Sequence, residues 1–304
     1  MECIFNEEKH RVLTPDNLVI RIKVTDWLYI LDDINSERMY LIVGKERALL
    51  FDTGYGLFDF RPLIREVTDL PLTVVCSHGH DDHVLGNHLF DTVYIAREDY
   101  ELCLAGDNPE SKDRLIRSRY KKTPYIEEVI DRDAYMNMTI RNCDYRFVGD
   151  GDVFDLGGLT LKVYPLPGHT KGSIGLYCKE HRAIFAGDAL TYHHVIMYGK
   201  SGDAPAAPYL YYAALSRIQK LSIDTIWPAH GDVPAPKELI QDTKEVFNNW
   251  AKYADPKKDQ EKHGSVFGRT CRYTDPVSQI VMAYHPNRLE EMHEFMKNHD
   301  GRME

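Results

Sequence analysis

The chain has 304 residues, of which 43% are hydrophobic and 28% are charged, and its formal net charge is −10. A chain of this length buries a sizeable core, and its composition is that of an ordinary soluble globular protein. The acidic balance argues against general binding to nucleic acid or to an anionic membrane, because both need clustered Lys and Arg.

The cysteines and the first residues predict a cellular location. The six cysteines are scattered and contain no CxxC pair, which predicts reduced thiols in a cytoplasmic protein. The opening MECIFNEEKHR is charged and predicts no secretory signal. No run approaches the roughly 20 apolar residues that span a membrane.

Four short runs rich in Val, Ile, Leu and Tyr come first, separated by charged or turn residues. They predict an antiparallel meander: Leu18 to Val24, Trp27 to Leu31, Met39 to Val43 and Ala48 to Phe51. The last run ends in Asp52-Thr53-Gly54, a carboxylate at a strand end. One interpretation is that Asp52 caps this turn.

The next segment places four potential metal ligands within six residues. Helical spacing from Phe58 to Asp69 leads into the apolar strand Leu72 to Cys76, and the ligands follow it directly: His78, His80, Asp82 and His83. Residues two apart do not share a helical face, so the pattern predicts a turn, with Asp82 and His83 opening a helix. Imidazole and carboxylate together suit zinc or iron.

Residues 98–142 are dense in charge and tyrosine and carry little strand signal. They predict a helical insertion. Two interpretations stay open, a solvated helical excursion and a lid over the substrate.

Three further candidate ligands follow apolar runs in the second half of the chain. His169 stands in Pro167-Gly168-His169-Thr170, Asp188 follows the strand Ala183 to Ala186, and His230 stands in Pro228-Ala229-His230-Gly231. An α/β architecture gathers its site at such strand ends.

Beyond Asp188, the residues Ala189 to Pro208 predict a loop that contains Tyr192, His193 and His194. Residues 237–304 are predicted to be mostly helical with one strand, Val277 to Tyr284, and Ala254 to His263 is predicted to be a linker or exposed turn. No chemical motif stands in this last part.

From Asp52 to Gly231, the strand followed by HxHxDH and the later motifs resemble the metallo-β-lactamase superfamily in the order that this family requires. The resemblance implies an α/β, four-layer αββα sandwich with the helical insertion and a helical C-terminal extension. It also implies a catalytic domain at residues 1–240, with residues 241–304 packed on the same domain.

The resemblance further implies the ligand set. His78, His80 and His169 would hold one metal, Asp82, His83 and His230 a second, and Asp188 would bridge both. Asp52 would orient the site by hydrogen bonding. Two Zn²⁺ ions are expected, with Fe or Mn as alternatives.

The expected function is a metal-dependent hydrolase whose metal-bridging hydroxide cleaves an ester, thioester, lactone or amide of a small metabolite. Asp82, Asp188 and Tyr192 are the expected catalytic residues, and Tyr192, His193 and His194 the expected substrate contacts. One alternative is a persulfide dioxygenase with a single iron, which would leave Asp82, His83 and His230 idle. A phosphodiesterase is the other, although the nucleases of this family depend on basic surfaces.

Overall fold

The computed structural model describes residues 19–33, 37–120, 126–191, 194–197, 207–265 and 268–299. The chain is divided into two compact units. Of the described residues, those from 19 to 162 belong to the amino-terminal unit and those from 163 to 299 to the carboxy-terminal unit. Across the described residues, no helix has the length and apolar character that crossing a membrane requires.

The amino-terminal unit is built on a seven-stranded sheet. Its strands lie side by side in chain order: β1 (Val19–Lys23), β2 (Leu28–Asp33), β3 (Arg38–Val43), β4 (Ala48–Phe51), β5 (Leu72–Val75), β6 (Thr92–Ala96) and β7 (Asp144–Val148). Strands β1 to β4 pair antiparallel, which confirms the predicted meander. Strands β4 to β7 pair parallel.

The parallel pairing positions the ligand turn. Phe51 of β4 lies opposite Val75 of β5, so both strands end at the same edge of the sheet. The Asp52 backbone N–H donates to the Val75 carbonyl at 2.9 Å. Asp52, directly after β4, and Ser77, two residues after the end of β5, therefore emerge next to each other.

The described residues of the same unit form six α-helices: α1 (Arg61–Arg65), α2 (Asp81–Val84), α3 (Tyr100–Ala105), α4 (Pro109–Tyr120), α5 (Ile126–Val129) and α6 (Arg132–Asn137). Helix α1 is shorter than the predicted Phe58 to Asp69, and Pro62 stands in its first turn, where a missing N–H costs nothing. The last four helices form the predicted insertion. Its Cys103, Ile116 and Tyr135 are buried in one core with strand residues Leu50 and Val74.

A short strand, β8 (Val153–Asp155), closes the amino-terminal unit. It pairs antiparallel with the first residues of the next strand, Val153 opposite Lys162.

The carboxy-terminal unit has strands in two sheets: β9 (Thr160–Pro165), β10 (Ile174–Cys178), β11 (Ala183–Gly187), β12 (His194–Met197), β13 (Thr225–Pro228), β14 (Ala235–Pro236), β15 (Gln260–Ser265), β16 (Gly268–Thr274) and β17 (Val281–Tyr284). One sheet runs β14-β13-β11-β10-β9 in this unit, and the other runs β12-β17-β16-β15. Strand β12 lies where a loop was predicted, and β15 and β16 form a hairpin where the sequence predicts a linker and helices.

In the described part of this unit, three α-helices accompany the sheets: α7 (Pro208–Ile218), α8 (Glu238–Tyr253) and α9 (Pro286–Asn298). Helix α8 buries Leu239, Thr243, Val246 and Trp250, whose spacing of three to four residues makes one apolar face. That face belongs to a core shared with Tyr284 and the other buried residues of this unit. Both units thus combine sheets with helices, as the predicted α/β class requires.

Candidate metal centre

His78 and His80 stand on the turn that follows β5. The His78 Nε2 atom lies 3.0 Å from the His80 Nδ1 atom, and the Ser77 hydroxyl lies 2.9 Å from His78 Nδ1. At this distance the two nitrogens can share a hydrogen bond, provided that one of them carries a proton. Once that proton is lost, both nitrogens can bind one cation.

The first helix of the insertion holds this turn in place. Gly79 lies between the two histidines, and its backbone N–H donates to Asp99 Oδ2 at 2.9 Å. A Cβ on Gly79 would come within 2.6 Å of the Asp99 carbonyl oxygen and 2.9 Å of the Cys103 nitrogen. Only glycine fits the turn, because both neighbours are backbone atoms that cannot rotate away.

Helix α2 carries the next pair of candidate ligands, as predicted. His80 is its N-cap residue, with an extended backbone, and the His83 N–H donates to the His80 carbonyl at 2.9 Å. The His83 Nε2 atom lies 3.8 Å from Asp82 Oδ1. The His83 side chain is fully buried, whereas that of Asp82 is 25% exposed.

Asp52 contacts both the ligand turn and His83. Its Oδ1 accepts from the Ser77 N–H at 2.6 Å, and its Oδ2 accepts from the Ser77 hydroxyl at 2.8 Å. The His83 Nδ1 atom lies 3.0 Å from the same Oδ2. A carboxylate at this position keeps the proton on Nδ1 and leaves Nε2 available as a ligand. Asp52 adopts φ of 68°, a strained conformation at the end of β4.

The sequence analysis did not identify Glu37, the residue before β3. Its side chain is fully buried, and its Oε1 lies 3.1 Å from His83 Nδ1. One donor atom each of Glu37, Asp82 and His83 lies within 4.8 Å of the others. A single glutamate ahead of a strand carries no motif, so only the fold reveals this contact.

Asn87, beyond α2, connects the ligand turn to the loop after Asp52. Its Oδ1 lies 2.8 Å from the Thr53 hydroxyl and 3.3 Å from Cys76 Sγ. Burial raises the pKa of the Cys76 thiol well above its usual value and that of Cys103 to about 12. Both thiols are therefore protonated at neutral pH, and neither competes with the imidazoles for a cation.

In the carboxy-terminal unit, His169 stands on a tight turn between β9 and β10. The Gly168 N–H donates to the Thr170 carbonyl at 3.0 Å, and a Cβ on Gly168 would lie 2.5 Å from the Tyr211 ring. The buried Tyr211 hydroxyl also donates to the carbonyl of Ala189, next to Asp188. Tyr211 thus contacts both the turn that carries His169 and the segment that carries Asp188.

Asp188 and His230 come together because their strands pair in parallel. Gly187 of β11 lies opposite Pro228 of β13, so the residues after both strands share one edge. Asp188 Oδ2 lies 3.4 Å from His169 Nε2, and Asp188 Oδ1 lies 3.6 Å from His230 Nε2. The two oxygens of one carboxylate therefore face different imidazoles.

The three predicted substrate contacts are not described in side-chain detail. Tyr192 and His193 lie outside the described residues, and so does the side chain of His194, whose backbone begins β12. Their roles remain predictions from the sequence.

Comparison with known proteins places these donors in a family pattern. A family model described as the metallo-beta-lactamase superfamily matches residues 35–230. The human acyl-coenzyme A thioesterase MBLAC2 is 30% identical over 171 residues, which cover 51% of this chain and 59% of that protein. An atrochrysone carboxyl ACP thioesterase from Aspergillus fumigatus is 22% identical over 264 residues, covering 85% of this chain and 53% of that protein.

The solved structures are more distant in sequence. The crystal structure of a metallo-beta-lactamase family protein from Thermus thermophilus matches with a TM-score of 0.53 at 18% identity, covering 81% of this chain and 83% of that chain. A structural match at 18% identity shows a shared fold and no more than that. The match covers less than two thirds of the length of both thioesterases, 59% and 53%.

Proposed function

Because this chain belongs to the metallo-β-lactamase superfamily and has its α/β fold, we propose that it is a metal-dependent hydrolase that cleaves thioesters. Both the family and the fold class agree with the sequence analysis. The observation that carries the hydrolase proposal is the density of donors at strand ends: every residue of the expected ligand set contacts another member of the set within its own unit.

We assign the ligands as the family pattern implies. In that pattern, His78 and His80, with His169, would hold one cation. Asp82 and His83, with His230, would hold the second, and Asp188 would join the two. The chemistry of these donors fits Zn²⁺, Fe²⁺ or Mn²⁺, since neutral imidazoles and carboxylates are ligands that each of them accepts.

Cations held there would lower the pKa of a bound water to about 7 and would polarise a carbonyl oxygen. The protein's own groups orient this chemistry. Asp52 fixes the ring of His83 through Nδ1, and Ser77 stands beside Nδ1 of His78, so that both rings present Nε2. Asp188 suits a bridging role because its two oxygens face different imidazoles. Asp82 Oδ1, beside His83 Nε2, is positioned to accept a hydrogen bond from the attacking water.

The choice of a thioester rests on the relatives. The two relatives described above are both named thioesterases, one for acyl-coenzyme A and one for an acyl carrier protein. The thiolate is a good leaving group, so a thioester needs less help from a general acid than an amide does. We therefore propose an acyl-coenzyme A thioester as the substrate class.

A substrate panel tests this proposal. The metal-loaded protein is incubated separately with each of the following: acyl-coenzyme A thioesters of increasing chain length, an acyl carrier protein thioester, an oxyester, a lactone and a β-lactam. Product release is measured for each compound. We expect kcat/KM to be highest for acyl-coenzyme A and to vanish after chelation or in His80→Ala. Preferred turnover of the β-lactam, the lactone or the carrier protein thioester would refute the assignment of substrate.

A further inference from the structure

We propose that Asp99 is a positioning residue for the first cation, the one assigned to His78 and His80. Its carboxylate holds the backbone of Gly79 and so keeps the two imidazoles directed at one cation. The inference rests on the proposed function, because it concerns one of the two cations of that proposal. It gives a residue of the helical insertion a role in the metal centre, although the insertion contributes no ligand to the expected set.

The contact between Asp99 and the ligand turn is buried. Asp99 is the N-cap residue of helix α3 and is 1% exposed. Its Oδ2 atom accepts a hydrogen bond from the Gly79 N–H at 2.9 Å. A carboxylate is a stronger acceptor than a neutral oxygen, and a hydrogen bond gains strength where water is excluded. This bond therefore fixes the direction of the peptide group that joins His78 to Gly79.

The two imidazoles stand on a segment that has no regular structure of its own. Residues 76–80 belong to neither β5 nor α2, and Gly79 has the widest conformational freedom of any residue type. The nitrogens that face each other, Nε2 of His78 and Nδ1 of His80, are nevertheless 3.0 Å apart. Contacts from outside the segment therefore supply the order that a shared cation requires.

Hydrogen bonds anchor this segment at its start, its centre and its end. At the start, the Ser77 N–H donates to Asp52 at 2.6 Å, and at the end the His80 carbonyl accepts an N–H of helix α2 at 2.9 Å. Asp99 anchors the centre, at Gly79. Close packing cannot replace this bond, because packing excludes a side chain at Gly79 but does not direct its N–H.

The insertion also contacts the residue after His80. Arg114 Nη2, on helix α4, lies 3.7 Å from Asp81 Oδ2, and a Cβ on Gly106 would lie 3.3 Å from Asp81 Cγ. The side chains of this ion pair are 53% and 33% exposed, so the pair contributes little. The buried hydrogen bond of Asp99 is therefore the stronger of these two links between the insertion and the ligand segment.

The two cations should respond differently to the loss of Asp99. Its hydrogen bond acts between His78 and His80, which are both assigned to the first cation. His83, assigned to the second, is oriented by Asp52, whose Oδ2 lies 3.0 Å from His83 Nδ1. Removal of the Asp99 carboxylate should therefore weaken binding of the first cation more than binding of the second.

The test measures Zn²⁺ binding to metal-free full-length protein in competition with a chromophoric chelator. Asp99→Ala removes the acceptor, and Asp99→Asn keeps the size of the side chain with a neutral acceptor oxygen. Each is combined with His230→Ala, which keeps the ligands of the first site, and separately with His80→Ala, which keeps those of the second. Asp133→Asn, at an exposed position of the insertion, is the control in both backgrounds.

We expect Asp99→Ala to lower the Zn²⁺ affinity of the first site by at least about tenfold, with a smaller loss in Asp99→Asn and little change at the second site. Asp99→Asn decides if the alanine variant does not fold. Unchanged affinity of the first site would overturn the inference. Equal losses at both sites would overturn it too, since Asp99 would then act on the fold as a whole. A wild type that binds no transition metal refutes the proposed function itself.

Hydrogen exchange gives a readout that needs no metal. In metal-free protein made with isotope-labelled glycine, the exchange rate of the Gly79 N–H reports its bond to Asp99 directly. We expect faster exchange in Asp99→Ala, an intermediate rate in Asp99→Asn and the wild-type rate in Asp133→Asn. A wild-type rate in Asp99→Ala would contradict the inference, because Asp99 would then not be what holds the turn.

Discussion

The Nε2 atom of His78 lies 3.0 Å from the Nδ1 atom of His80. Gly79 stands between the two residues, and different ring nitrogens of the two side chains face each other. Asp99 and Cys103 of the insertion enclose that turn so closely that no side chain fits at Gly79. The helical insertion therefore shapes the ligand turn, whether or not it also covers a substrate.

Asp52→Asn should weaken the second cation site with little effect on folding. Asparagine tolerates the positive φ of this position, but its amide has one acceptor oxygen for the two groups that Asp52 serves with separate oxygens, the Ser77 N–H and His83 Nδ1–H. Substitutions of this kind typically cost about 10- to 100-fold in metal affinity. Metal titration checks this, with Asp59→Asn, an exposed site in the following loop, as the control. Wild-type affinity in Asp52→Asn would show that His83 does not depend on this carboxylate.

His230→Ala should remove one cation and most of the hydrolysis while leaving the fold intact. The side chain is 30% exposed and follows β13 instead of filling a core, so its loss leaves no large cavity. Elemental analysis and thermal unfolding would show one metal equivalent lost at a Tm close to that of the wild type. His181→Ala, at an exposed histidine of the same unit, is the matched control. Full metal content with full activity in His230→Ala would contradict the two-cation assignment.

The sequence predicted the candidate ligands that stand in recognisable motifs, including His169, Asp188 and His230, and missed Glu37, which only the fold brings near His83. The pattern from His78 to His83 follows a single apolar strand, so local spacing is sufficient to find it. Glu37 meets His83 only through the sheet, 46 residues later in the chain, and a lone acidic residue carries no such signal.

The missed strands have the same cause. His194 of β12 pairs with Val281 of β17, a parallel partner far along the chain, and its local sequence is typical of a loop. Strand β15 (QEKHGS) is charged and resembles a linker. It is a strand because β16 pairs with it, since context decides strand formation more than intrinsic preference does.

Tyr192→Phe tests the predicted substrate contact, which lies outside the described residues. If the phenol hydrogen-bonds the substrate carbonyl, its loss should lower kcat by about 10²- to 10³-fold at unchanged metal content. Tyr198→Phe, at the other tyrosine of the segment Ala189 to Pro208, should behave as the wild type. Steady-state kinetics and elemental analysis of both variants decide, and wild-type kcat in Tyr192→Phe would leave the tyrosine a structural role only.

Asp107 should make the stability of the amino-terminal unit depend on pH in the acid range. Burial alone would raise the pKa of its carboxyl, but Lys112 and Thr139 outweigh burial and lower that pKa below 3.8. The folded state therefore gains stability from ionised Asp107 above the unfolded pKa of about 3.9. This gain is lost as the pH falls through the lower pKa of the folded state.

Denaturant unfolding at several pH values between about 6 and 2 measures this effect. The difference in unfolding free energy between wild type and Asp107→Asn should be largest near neutral pH and should shrink in acid. Asp133→Asn, at an exposed position of the same insertion, should show no such trend. A difference for Asp107→Asn that stays constant over the whole range would contradict the role of Asp107.

The central claim is that two cations held by this ligand set support thioester hydrolysis. The most direct measurement is elemental analysis of gently purified protein, paired with thiol release from an acyl-coenzyme A before chelation, after chelation and after metal is returned. We predict two transition metals per chain, loss of turnover on chelation and recovery on reconstitution. One iron per chain, with oxygen consumed in the presence of a persulfide and no thioester cleavage, would contradict the claim.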